Sequence, residues 1–354
     1  METVYGKAFL TIAAAASDSC DGGLFYPRSC VLDFRKSKLF GNKNDQRVTA
    51  FIPGPTRAAK DEPLHSRAWA LQERVLSQRV LTYSLGGIAF QCAEGKENIL
   101  TNSNEVMHRI HRYRLPGPPS EPPVSHWNIL VTSFCSRDLT NPRDKLPAIA
   151  GLARRYHKLT KGKNGRYLAG LWENHLEAGI LWRRSEDLFG EMFRNVIIGT
   201  AKSYRAPSWS WAAIDGIVSY LVAVGARHDQ TKIIECTTEL ATADPFSSVL
   251  AGKLRISGLC KRATGILPGD LPVVVVDASH GQTIIAQVWL DSDDAATIQM
   301  IKDMGHVYCL LVTEKYGLCL TEAPGVEGHY IRIGIFYSSW CSWDDAVHTT
   351  MTII

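Results

Sequence analysis

The apolar positions of this chain change period several times, and each change marks an element. Residues 8–14 are a short apolar run that predicts a buried strand, and residues 17–23, rich in Ser, Asp and Gly, predict a turn after it. Residues 34–62 mix Lys, Arg, Asn, Gly and Pro without a clean period and read as a surface loop with one strand over 47–52. From Ser66 the spacing is helical: Ser66 can N-cap a helix that begins at Arg67, with Ala68, Leu71 and Val75 as its apolar stripe. Residues 79–84 and 88–92 then form two short strand patterns about Gly86-Gly87, a hairpin signature.

Residues 104–113 carry a short helical pattern that ends in a segment, 115–123, holding five of the sixteen prolines. Such a segment resists helix and sheet and marks a linker or long loop. Beyond it, 125–136, 142–159 and 168–182 have helical spacing, with Trp172, Leu176 and Ile180 on one face. From Ser208 the period becomes two. Trp209 and Trp211 fall on one strand face, and 254–259, 273–276, 284–290, 307–312, 317–321 and 330–337 are β-branched or aromatic runs separated by turn residues. The predicted class is α+β: an α/β unit over 1–113, a Pro-rich linker over 114–124, a helical middle over 125–205 and an antiparallel β-rich unit over 206–354.

Composition narrows the function classes. Of 354 residues, 45% are hydrophobic and 21% charged, which describes a globular chain rather than a disordered one. A net charge of +4 is too mild to demand nucleic acid. The nine cysteines are scattered and contain no C-x-x-C pair, which favours reduced cytoplasmic thiols over a disulfide framework or zinc site. Lys7 followed by 8–16 has the outline of a short signal-peptide apolar region, but Glu2 weakens it and a strand is the preferred reading. No run approaches the roughly 18 apolar residues of a membrane helix.

The sharpest chemical pairing is Trp69 with Glu73, one helical turn apart. A carboxyl sheltered by an indole loses hydration, which can suit it to catalysis; the plainer reading makes Trp69 a core anchor and Glu73 a solvated residue or an ion pair with Arg67 or Arg74. Other candidates are thinner. His108 and His111 are three apart without a third metal ligand of recognisable spacing. Asp291, Asp293 and Asp294 lack the glycine and final glutamate of a calcium loop and read as a strand-end turn. Arg154, Arg155, Lys158, Lys161, Lys163 and Arg166 form a basic run of the kind that is most often a solvated face. Trp209 and Trp211 are read as core rather than as a ligand platform. No P-loop or Rossmann glycine motif is present.

The same helix carries a family resemblance. Arg67-Ala-Trp-Ala-Leu-Gln-Glu73, preceded by Pro63-Leu64 and followed by Arg79-Val-Leu, resembles the last signature block of the fungal heterokaryon-incompatibility (HET) domain. Met1 to Tyr5, Ala8, Leu10 to Ala14 and Gly23-Leu24-Phe25 with Pro27-Arg28 resemble the close of its middle block. Asp144 to Ala153, Tyr167 with Gly170-Leu-Trp172, and Ala206-Pro-Ser-Trp-Ser-Trp211 resemble the region that commonly follows the domain. The family's opening block and the tryptophan-aspartate-cysteine part of its middle block are expected before Met1. Ser66, Trp69, Leu71 and Glu73 also resemble one helix of Toll/interleukin-receptor (TIR) domains, with the serine one residue further from the tryptophan. In enzymatic TIR members the matching glutamate splits NAD between nicotinamide and ribose.

What the resemblance implies is a protein of fungal self/non-self recognition and programmed cell death, with protein partners; charge and hydropathy add the expectation of no nucleic acid and no membrane segment, and a homo-oligomer is left open. A TIR-like NAD hydrolase acting through Glu73 is the alternative, with Ser66, Arg67, Trp69 and Gln72 as binding candidates, NAD as substrate rather than cofactor, and a pocket left incomplete by the expected missing strands. In that picture the carboxylate steadies an oxocarbenium-like ribose while the helix N-terminus meets phosphate. A ligand- or partner-binding role unrelated to cell death stays open as a third.

Overall fold

The computed structural model describes residues 1–25, 31–34, 48–51, 62–85, 87–92, 98–99, 123–185, 199–201, 203–221, 228–267, 273–277, 283–292, 294–339 and 342–354. The chain is a mixed helix-and-strand protein with a β-rich C-terminal sheet, and it divides into two compact units, Met1–Ser120 and Glu121–Ile354. The expected helix at 104–113, His108, His111 and most of the proline-rich segment lie outside the described residues.

The first unit begins with helix α1 (Glu2–Lys7) and strand β1 (Thr11–Ala14). β2 (Val31–Phe34) and β3 (Val48–Phe51) pair antiparallel, the second close to the strand expected over 47–52. A single turn, α2 (Pro63–Ser66), leads to α3 (Ala68–Leu76), and β4 (Arg79–Ser84), β5 (Gly87–Cys92) and β6 (Asn98–Ile99) complete a sheet of order β1-β4-β5-β6. β4 and β5 form the expected hairpin. β1 runs parallel to β4, from Thr11 opposite Val80 to Ala14 opposite Tyr83. Parallel neighbours need a long crossover, and α3 is its last element.

Two expectations fail here. The strand at the N-terminus is neither as long nor as buried as its apolar run implied: Ile12 is 56% exposed and Phe9 80%, and only Ala15 closes off from water. Among the described residues β1 has one hydrogen-bonded neighbour, β4, and its other side is not covered by a strand of them. Ser66 does not cap α3. Pro63, with its preset φ, starts its own turn; the chain then extends at Arg67 (φ −81°, ψ 126°), and Ser66 Oγ donates back to Pro63 O at 2.9 Å.

The second unit opens with α4 (Val124–Cys135), near its expected bounds, and α5 (Pro147–Leu159), which ends as expected but starts at Pro147 after a separate 3-10 turn (Pro142–Asp144). The predicted helix over 168–182 is not there. β7 (Tyr167–Leu168) and β8 (Leu171–Trp172) form a tight hairpin whose two turn residues have positive φ, Ala169 at 45° and Gly170 at 102°, which no helix tolerates. A 3-10 turn (Glu173–His175), one helical turn α6 (Leu176–Gly179) and β9 (Trp182–Arg184) follow. Trp172, Leu176 and Ile180 are all buried, so the apolar spacing reported burial correctly but not the backbone. β10 (Gly199–Thr200) pairs with β11 (Ile214–Asp215), and β9 with β12 (Val218–Tyr220).

The C-terminal sheet holds β13 (Lys232–Leu240), β14 (Val249–Ala263), β15 (Gly265–Leu267), β16 (Val273–Asp277), β17 (Thr283–Leu290), β18 (Val307–Leu311), β19 (Tyr316–Glu322), β20 (His329–Tyr337) and β21 (Val347–Ile353). Its pairings close a ring. β14 pairs antiparallel with β18, β18 with β19 and β19 with β20; β20 meets β21 in parallel, and β21 returns antiparallel to β14. Fifteen residues let β14 serve three neighbours, β13 along its first half, β21 along its middle and β18 along its end. Closure consumes strand edges that would otherwise stay open. Four elements around this sheet were missed by the alternating pattern, the strands β13, β15 and β21 and the helix α7 (Ala295–Met304). That helix is started by Asp294, which accepts Thr297 N–H at 2.7 Å, and stopped by Gly305 at φ 65°. Of the aspartates expected to form a strand-end turn, Asp294 is thus an N-cap, Asp291 follows the end of β17, and Asp293 lies outside the described residues.

Candidate functional site

Residues 62–85 assemble the motif helix at the end of the parallel pair. Ala68 and Leu71 are buried as the stripe predicts, whereas Val75 is only half-buried and Leu76 is buried beside it; Trp69 and Glu73 are half-buried. Glu73 is not an isolated carboxylate beside an indole. It accepts the hydroxyl of Tyr5 on α1, and burial together with Glu73's charge and hydrogen bond pushes the Tyr5 phenol up. Ser77 Oγ donates to Glu73 O at 2.6 Å and lies 2.7 Å from Thr11 Oγ1 on β1. Glu73 therefore belongs to a set of fastenings among α1, β1 and the C-terminal end of α3.

The buried carboxyl is at the other end. Glu62 is 2% exposed, and its Oε1 accepts Leu85 N–H at 2.9 Å, just past the carboxyl end of β4. Burial pushes its pKa up, against the pull of the Leu85 N–H, the Ser84 hydroxyl and the Arg74 charge. His65 Nδ1 stands 3.5 Å from Glu62 Oε2, and Arg74 donates to His65 Nε2 at 3.2 Å, which leaves the imidazole proton on Nδ1, facing the carboxylate. Arg74 thus reaches His65 rather than serving Glu73 alone. The carboxyl ends of parallel strands are where open α/β sheets place ligands. Glu62, His65 and Arg74 lie there; sequence reasoning left Glu62 in a loop, although its i, i+3 spacing to His65 was visible.

Of the binding candidates, Arg67 is exposed at the break between α2 and α3, and Ser66 is occupied by Pro63 O. Gln72 is 0% exposed, and neither its Oε1 nor its Nε2 has a hydrogen-bond partner. The structure keeps Trp69 and Glu73 a turn apart on α3 and ties Glu73 to α1.

In the second unit the three blocks of the downstream resemblance meet. Gly170 O accepts the indole N–H of Trp127 at 3.0 Å and of Trp211 at 3.1 Å, and Ser210 Oγ donates to Ala169 O at 2.5 Å. Trp182 Nε1 donates to Trp209 O at 3.0 Å. Lys145, buried at 4% exposure, donates to Ile214 O, and Arg205 pairs with Asp215 at 2.7 Å. Trp209 and Trp211 are core, as expected, but they lie in a turn and a 3-10 helix (Trp211–Ala213) rather than on a strand face, because Ser210 caps that helix by accepting Ala212 N–H at 3.0 Å. Nearby, Arg332 on β20 makes a two-pronged pair with Asp291 at 2.8 and 2.9 Å, and its guanidinium lies 3.4 Å from the Trp182 ring centroid.

The basic run is partly neutralised: Arg154 pairs with Asp244 at 2.5 Å and Arg166 with Glu173 at 2.7 Å. Among the described residues no group of three or more His, Cys, Asp or Glu gathers for a metal, and no helix is long and apolar enough to cross a membrane. Burial pushes the Cys135 thiol up to about 11 and those of Cys236 and Cys260 to about 12, so these are inert thiols rather than nucleophiles. No family model, curated protein or solved structure matches the chain.

Proposed function

We propose that the chain is a heterokaryon-incompatibility signalling protein that acts through protein partners in the cytoplasm, with α3 as the centre of its effector unit. The observation that supports this reading is the parallel pairing of β1 with β4 across the Arg67–Glu73 motif helix, the connectivity expected of the α/β, TIR-like unit that the resemblance implies. In this reading Glu73 acts by holding α1 to α3 and the surface around Arg67 and Trp69 meets the partner. NAD hydrolysis through Glu73 is the competing activity, and it requires the Glu73 carboxylate to face a substrate although the Tyr5 phenol already interacts with it. The test is induced expression in a filamentous fungus. Growth arrest that survives Glu73→Gln but is lost with Arg67→Glu at equal protein level supports the interaction reading; arrest indifferent to Arg67→Glu contradicts it.

A further inference from the structure

The loop between β13 and β14, residues 241–248, is internally braced. Asp244 Oδ1 accepts Phe246 N–H at 3.1 Å, Thr242 Oγ1 accepts Asp244 N–H at 3.2 Å, and Ala241 N–H donates to Ser248 O at 3.0 Å. The brace presents one ring. Phe246 sits 5.6 Å from the His157 ring, 5.5 Å from Tyr167 and 6.4 Å from Trp172. Each of those three neighbours carries a buried polar atom with no hydrogen-bond partner: His157 Nδ1, Tyr167 Oη and Trp172 Nε1. Native interiors leave few such atoms, so three on the rings packed about a single phenyl require a cause. Tyr167 and Trp172 are themselves 5% and 2% exposed. Above the ring Arg154 stacks at 5.6 Å while paired with Asp244 of the same loop, which clamps the phenyl in place.

We propose that Phe246 is a resident plug in a binding site for a planar nitrogen heterocycle, and that the 241–248 loop withdraws when such a ligand enters. The walls are flat. The His157 and Trp172 rings lie within 7° of parallel at 5.8 Å, and the hairpin turn at Ala169 and Gly170 sets Tyr167 directly opposite Trp172. The indole N–H can only donate, the phenol can donate or accept, and the imidazole nitrogen takes either role by tautomer. A heterocycle with ring nitrogens or carbonyls fills the volume of the phenyl ring and satisfies groups that a hydrocarbon leaves bare. Withdrawal of the loop also parts Arg154 from Asp244, leaving a guanidinium at the mouth for an anionic substituent. Nucleoside monophosphates combine both features and are the probes of choice. This site lies within the second unit and is independent of the incompatibility reading.

The experiment titrates the full chain, and its Phe246→Ala variant, with the adenosine, guanosine, cytidine and uridine monophosphates by calorimetry and tryptophan fluorescence. Removing the plug abolishes the population cost of opening, so Phe246→Ala is expected to bind at least one probe about tenfold more tightly than the parent chain. Adding Tyr167→Phe should weaken that binding while the melting temperature stays level or rises, because the deleted hydroxyl has no partner in the closed state. A core tyrosine with no ligand role predicts no change in affinity. A folded Phe246→Ala variant that binds none of the four better than the parent overturns the proposal, as does binding indifferent to Tyr167→Phe. Should Phe246→Ala not fold, Asp244→Asn unclamps the loop and leaves the ring in place; affinity no better than the parent's in that variant overturns it equally.

Discussion

Trp69 and Trp211 stand in equally conspicuous stretches of sequence, yet the two units hold them in different ways. Trp211 is 0% exposed, and its indole N–H is spent on Gly170 O, a carbonyl that Trp127 also uses. Trp69 is half-buried on a nine-residue helix, and polar contacts tie the neighbouring elements together, Tyr5 to Glu73, Thr11 to Ser77 and Gln78 to Gly6 O. Interlocked aromatic packing makes the second unit depend on shape. In the described part of the first unit the core is small, Ala15, Ala68, Leu71, Leu76 and Val80, and single hydrogen bonds supplement it. Substitutions should therefore be costly in one and modest in the other, unless the contrast is false.

The largest effect is expected at Gly170, where an added Cβ would lie 2.4 Å from Trp211 Nε1 and the backbone has φ 102°. Gly170→Ala should cost about 2–6 kcal/mol in urea unfolding, combining positive-φ strain with overpacking. Arg332→Met comes next: it strands the buried Asp291 carboxylate and should cost about 3–5 kcal/mol, with Asp291→Asn in addition recovering part of the loss. In the first unit Tyr5→Phe removes one partly exposed hydrogen bond and should cost no more than about 1 kcal/mol. Equal losses at Gly170 and Tyr5 would break the comparison.

Glu62 sharpens the contrast by pH. Its folded-state pKa is raised above the ordinary carboxylate value, so between the two values the folded chain binds more protons than the unfolded one. The stability it contributes is therefore present at and below the ordinary carboxylate value and is lost as pH rises through the folded pKa. Glu62→Gln should flatten that fall in denaturant titrations across the acidic range, whereas a fall of the same slope in the variant would assign it to other groups.

Much of this was legible because periodicity reports burial. The β4–β5 hairpin, α4, the C-terminal end of α5 and six of the C-terminal strands follow their patterns closely. What the pattern cannot carry is backbone conformation set by a few residues. Trp172, Leu176 and Ile180 keep helical spacing in a hairpin and turn because Ala169 and Gly170 sit at positive φ. The N-terminal apolar run predicted burial, but among the described residues β1 lies at a sheet edge, and edge position is a property of the partner strands. Glu62 escaped notice since its burial is created by Leu85 and the end of β4, more than twenty residues away. Asp294 and Gly305 carried a legible cap and stop that the surrounding strand pattern obscured.

On the proposed reading Glu73 fastens α1 to α3 and the chain signals by contact rather than by cleaving NAD. The most direct measurement incubates the purified chain and its Glu73→Gln variant with NAD and follows free nicotinamide by chromatography. No nicotinamide above the uncatalysed rate is expected from either protein. Sustained release by the parent chain that disappears in a folded Glu73→Gln variant would contradict it and make Glu73 a catalytic carboxylate.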